Sequence, residues 1–86
     1  MIFKNRRNEF EIIQQLLSFS LNGMKKTRLM YQTNMCYFQF NEYLQCLLEK
    51  KFLEPRLGNP HGTYYFTTEK GMKLLDSVNA TLLQAK

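Results

Sequence analysis

The sequence predicts an α+β domain in which three helices lead into a two-stranded hairpin and a last helix closes the chain. Three observations carry this. Phe40, Tyr43, Leu44 and Leu47 recur at spacings of three and four, the mark of a helix with one apolar stripe. Thr63 to Phe66 is rich in β-branched and aromatic residues, and a run of turn-formers separates it from an extended segment holding Pro55. Leu74, Leu75, Val78 and Leu82 form a second helical stripe near the C-terminus.

The 86 residues make one domain, residues 1–86. Met1 to Asn8 is polar and basic, and Asn5 or Asn8 is placed to cap the helix that follows. From Glu9 to Leu21, Phe10, Ile12, Ile13, Leu16, Leu17, Phe19 and Leu21 give that helix a wide apolar face suited to core scaffold. Phe19, off the main stripe, is also free for a dimer contact. Asn22-Gly23 ends the helix, with glycine available for the left-handed cap.

Met24 to Gln32 reads as a short second helix, with Leu29 and Met30 inward and Lys25, Lys26 and Arg28 clustered at its start. Cations at a helix N-terminus oppose the macrodipole, so helix stability does not explain them. A phosphate backbone nearby would, and so would a solvated face. Thr33-Asn34 is a turn, Met35 plugs the core between two helices, and Cys36 stands where Ser or Thr is the better cap. The third helix runs to about Lys50, with Phe38, Asn41, Glu42, Gln45 and Glu49 opposite its buried stripe. Phe52 to Leu57 is extended, and Pro55 assigns it to a sheet edge. Gly58 to Gly62 is a loop, and Thr63 to Thr67 returns as the second strand. Thr67 or Thr68 caps a final helix of about residues 68–85, with Glu69 favourable in its first turn. With Gly71 and Ala85, its stripe approximates a heptad seam, which suggests a homodimer through Leu75, Val78 and Leu82; packing on the first helix is the alternative.

The net charge of +5 is uneven: residues 1–28 hold six basic and two acidic residues, residues 29–52 two of each, and residues 53–86 four and three. A basic excess in a small domain suits a polyanion or acidic partner. No apolar run reaches the length that spans a membrane, and no signal-peptide pattern follows the basic start, so a cytoplasmic location is expected. Cys36 and Cys46 lie ten apart, about 15 Å along one helix, too far for a shared metal or an intrachain disulfide. They read as reduced thiols, with an intermolecular disulfide the alternative. With one histidine, His61, no placed acid pair and no Gly-rich phosphate loop, neither an enzyme, a cofactor, a metal site nor a small-molecule substrate is expected.

Helix, helix, helix, strand, loop, strand, helix is the order of a winged helix-turn-helix. Three motifs add a family resemblance. Lys26-Thr27-Arg28-Leu29-Met30-Tyr31-Gln32-Thr33-Asn34-Met35 resembles the K-T-x-I-M-Y-x-A-N-L run of small archaeal winged-helix DNA-binding proteins. Tyr43-Leu44 and Leu47-Leu48-Glu49-Lys50 resemble that family's Y-L-x-x-L-x-x-K-G-L run, and Tyr65 to Gly71 its Y-x-x-T-x-K-G motif. The resemblance covers about residues 9–83. It implies a dimeric double-stranded-DNA-binding protein or transcriptional regulator, often dimerising through the last helix. Two departures stand out. Lys51-Phe52 replaces the usual Gly-Leu, at a left-handed position where lysine costs about 1 kcal/mol. Where the family often has Ser and lysines at the start of the recognition helix, this chain has Cys36, Gln39, Asn41 and Glu42.

On this reading Lys25, Lys26 and Arg28 neutralise phosphates. Tyr37, Gln39, Asn41 and Gln45 make groove contacts, and Arg56 and His61 extend from the wing. Plain solvent exposure is the alternative for each polar residue. Phe38 beside Glu42 and Glu49 also fits a protein groove, so a winged helix for protein–protein interaction is the rival function.

Overall fold

Apolar residues at helical spacing wind the first helix, α1, over Glu9–Phe19, and Ile12, Leu16 and Leu17 are its buried face. The computed structural model describes residues 9–58 and 62–84, with side chains as far as residue 81. The Asn5 or Asn8 cap, His61, Ala85 and the side chains of Leu82 and Leu83 lie outside the described residues. Beyond α1 come β1 (Met24–Lys25), α2 (Lys26–Thr33), α3 (Tyr37–Glu49), β2 (Leu53–Leu57), β3 (Thr63–Thr67) and α4 (Glu69–Gln84).

One element differs from expectation. Met24 and Lys25 do not open the second helix; they form a short strand antiparallel to β3, Met24 opposite Tyr65 and Lys25 opposite Tyr64. The sheet therefore has three strands in the order β1-β3-β2, with the hairpin strand β3 at its centre. The cause is long-range. Gly23 at φ +91° turns the chain out of α1, and β3 offers an edge whose backbone groups need partners. A two-residue strand carries no periodicity of its own. Pro55 does sit on an edge strand, because β2 pairs with β3 alone.

The helices pack on one face of this sheet. Leu29 from α2, Met35 from the turn, Phe40, Leu44 and Leu47 from α3, and Leu53 from β2 meet α1 in a single buried cluster. Met35 is the plug expected of it. α4 lies along α1, fixed by a 2.6 Å hydrogen bond from Gln14 Nε2 to Asn79 Oδ1. Leu75 and Val78 of α4 are buried within the single chain. The stripe read as a dimer seam thus serves intrachain packing at these two residues, leaving them little surface to offer a second copy.

The end of α3 and the start of α4 are joined by hydrogen bonds. Lys51 adopts φ +68°, its N–H bonds Leu48 O at 3.1 Å, and Phe52 N–H bonds Leu47 O at 2.9 Å. These two bonds form a Schellman cap, with lysine where glycine is usual. Thr68, not Thr67, is the cap of α4. Its Oγ1 accepts Gly71 N–H at 3.0 Å and donates to Lys51 O at 2.6 Å. Thr67 Oγ1 instead reaches Leu17 O of α1 at 2.6 Å. Lys70 Nζ donates to Lys50 O at 3.0 Å, over the Phe52 ring. Gly71 is buried against the Phe52 carbonyl, where a Cβ has no room.

Candidate nucleic-acid interface

The sheet's alternation brings charge to one surface. Lys25 and Arg56 both stand opposite Tyr64, on either side of it, so the three side chains form a row across the outer sheet face. The Lys25 ammonium lies 5.8 Å from the Tyr64 ring centre. The next row on this face holds Phe66 and Glu54. The Arg56 guanidinium lies 4.7 Å from the Phe66 centroid, and its Nη2 meets Glu54 Oε2 at 2.5 Å. Arg56 is thus a partly neutralised cation. Its pair with Glu54 is exposed and contributes at most about 1 kcal/mol, so it is readily exchanged for another anion.

Beside the row, Gly23, Met24, Lys25, Thr27, Arg28, Tyr31 and Tyr64 line an open cleft of about 570 Å³. Arg28 and Tyr31 are one helical turn apart on the outer side of α2, and Tyr31 is 86% exposed. The cleft joins two cations to two tyrosines, a lining suited to a phosphate and the sugar or base next to it. Lys26 turns the other way, its ammonium 5.7 Å from the Tyr37 ring at the start of α3. Tyr37 in turn meets Phe38 edge to face at 5.9 Å. Lys25 caps α2 with its backbone alone, at φ −70° and ψ 152°. The cations at this helix start therefore oppose the macrodipole without a capping side chain to offset them.

α3 presents a different surface. Phe38, Glu42, Gln45, Cys46 and Glu49, with half-buried Asn41, line a shallow groove of about 410 Å³ along its outer side. Phe38 is 79% exposed. Gln39 is exposed on the same helix. Asn41 is turned inward more than its wheel position suggests, and its Oδ1 is buried without a hydrogen-bond partner. Cys36 is the α3 cap position and makes no side-chain capping bond. Both cysteines are free and exposed. Burial, with help from the carboxylates of Glu9 and Glu42, pushes the Tyr43 hydroxyl above its ordinary pKa.

Of the residues singled out from sequence, Lys25, Arg28 and Arg56 are brought to the sheet and cleft side, and Lys26 and Tyr37 to the α2–α3 corner. Gln39, Asn41 and Gln45 are on α3. Sequence reasoning missed Tyr64 and Phe66 as partners of these cations and Tyr31 as a wall of the cleft; strand alternation in Thr63–Thr67 was the available signal for the first two. Among the described residues no three His, Cys, Asp or Glu side chains gather as a metal site, and no helix is long and apolar enough to cross a membrane.

Comparison with known proteins agrees with this architecture. The winged helix-turn-helix family model matches residues 6–86. The chain belongs to the winged helix-turn-helix family. Among solved structures, the chain is similar to Sso10a-2, a DNA-binding protein from Sulfolobus solfataricus. The TM-score is 0.78 at 24% identity, over 92% of this chain and 82% of that one. It is also similar to SSV1 F-93, with a TM-score of 0.71 at 19% identity, over 94% and 93% of the two chains. No curated protein sequence matches it. The resemblance read from the three sequence motifs is borne out at the level of family and fold. At these identities the solved structures carry the fold alone.

Proposed function

We propose that this winged helix-turn-helix protein binds double-stranded DNA as a small homodimeric regulator. The observation that carries this reading is the placement of Lys25, Lys26 and Arg28 around the start of α2, beside an exposed α3. Helix electrostatics oppose cations there, and the sheet places Arg56 on the same side as Lys25. α3 enters the major groove, while Lys25, Arg28 and the wing hold phosphates on the flanks. Tyr37, Gln39 and Gln45 face the groove, and Lys26 guards its entrance. The family membership supports this reading, as does the DNA binding named for Sso10a-2.

A mobility shift on random duplex DNA at low and high salt tests the reading. Binding should be firm at low salt and weaken steeply as salt rises, because each phosphate contact releases counterions. No shift at low salt overturns it. The exposed Phe38 with Glu42 and Glu49 favours a second reading, a protein-interaction winged helix, which would bind a partner protein with weak salt dependence and leave DNA unshifted. Light scattering tests the homodimer, and a 10.3 kDa species at high concentration overturns it. Leu75 and Val78 are already packed in the chain, so Met72, 44% exposed on α4, is the better residue to substitute there.

A further inference from the structure

Among the described residues, the face that α3 turns outward has no cation near its centre. Phe38 and Glu42 stand one helical turn apart on it, at a spacing that puts their Cβ atoms about 6 Å from each other. Glu42 is exposed, and among the described residues no cation pairs with it. A carboxylate in this position costs general affinity for a polyanion. A helix entering the groove with Lys25, Lys26 and Arg28 on its flanks does not need charge there, so Glu42 needs another explanation.

We propose that Phe38 and Glu42 are a specificity pair that reads pyrimidines in the major groove: Glu42 takes a cytosine, and Phe38 takes a thymine within two base-pair steps of it. The proposal rests on the duplex-DNA reading above. An ionised carboxylate is an acceptor only. On the major-groove edge guanine offers N7 and O6, both acceptors, and thymine offers O4, also an acceptor. Each repels Glu42. Adenine offers an amine, but its N7 acceptor lies beside it. Cytosine alone presents the N4 amine without an adjacent acceptor on the same base, so Glu42 selects it by attraction and rejects the others by repulsion. The thymine methyl is the apolar group of the major-groove edge, and an aromatic ring is one of the side chains that contacts it. Phe38 is the most exposed ring on α3, and its edge-to-face contact with Tyr37 restrains it from one side. Affinity and selectivity are then divided: the cations of α2 and the sheet hold phosphates of any sequence, and the α3 face discriminates.

Selection of bound sites from a random duplex library at low salt, followed by sequencing, tests this on the wild-type chain, Glu42→Gln and Phe38→Ala. Both side chains are exposed, so the variants keep the fold, which circular dichroism verifies. The wild type should enrich cytosine at one position by about fivefold or more over each other base, with thymine within two steps. Glu42→Gln should move that position from cytosine to adenine, because an amide pairs with both the amine and N7 of adenine, and should tighten binding to random duplex. Phe38→Ala should relax the thymine position and leave the cytosine in place. Duplex binding without sequence preference, or a preference that Glu42→Gln leaves unchanged, overturns the pair while leaving DNA binding intact. Failure of the wild type to bind any duplex overturns the parent reading, and this one with it.

Discussion

The junction between α3 and α4 and the outward face of α3 are built on opposite principles. At the junction, Thr67, Thr68, Lys70 and Gly71 each have a structural task that the geometry accounts for. They hold Leu17 O, cap α4, hold Lys50 O and make room for the Phe52 carbonyl. On the outward face, Phe38, Gln39, Glu42 and Gln45 are exposed, and the monomer makes little use of them. The Tyr65–Gly71 motif that resembles the winged-helix family is therefore scaffold. The positions that departed from that family, at the start of α3, are those a partner would meet. In this small domain the Tyr65–Gly71 residues hold the fold, and the unusual ones at the start of α3 are left exposed for a partner.

Breaking the junction should have the largest effect. Gly71→Ala forces a methyl against a backbone carbonyl that has no rotamer to escape into. It should cost about 3 kcal/mol, the upper end for overpacking, read as a lower urea midpoint. An unchanged midpoint would mean the α4 packing is softer than described. Next in size is the effect of removing charge from the other region. Lys26→Ala with Arg28→Ala should leave the urea midpoint nearly unchanged. It should weaken DNA binding for all sequences alike and reduce the log–log salt slope by about 2. A sequence-dependent loss would instead place these cations on base edges.

The junction also has one position to improve. Lys51→Gly relieves a side chain held at φ +68° and should stabilise the protein by about 1 kcal/mol in thermal unfolding, without altering DNA affinity. The smallest effect concerns Tyr43, on the inner side of α3 and within the influence of the Glu42 carboxylate. Its hydroxyl should titrate in the folded protein above the ordinary value of 10.0, measured by ultraviolet absorbance. Because the unfolded chain gives up this proton first, the group favours folding below pH 10, and that contribution falls away as pH rises from about 10 toward the raised folded value. Removing either neighbouring carboxylate, with Glu9→Gln or Glu42→Gln, should bring the titration down part of the way; no change in either variant would leave burial as the whole cause.

The legible part of the molecule was the part with local cause. Helical spacing marked α1 and α3, turn-formers marked the wing loop, and Pro55 marked the edge strand, because each signal lies within a few residues of the structure it specifies. The basic cluster was also legible, but its arrangement was not. The sequence grouped Lys25, Lys26 and Arg28 on one helix, whereas β3 draws Lys25 into the sheet, Arg28 faces the cleft and Lys26 turns to Tyr37.

The chain by itself determined the α+β order, the buried stripes and the outer face of α3 with Phe38, Glu42 and Glu49, since all three follow from residue type and period. The tertiary structure alone decided three further matters. It made Met24–Lys25 a strand, used Leu75 and Val78 within the chain, and placed Arg56 over the Phe66 ring. Each depends on a partner distant in sequence or on a neighbouring strand. An apolar stripe does not say which surface will cover it, and two residues do not say which edge they will complete.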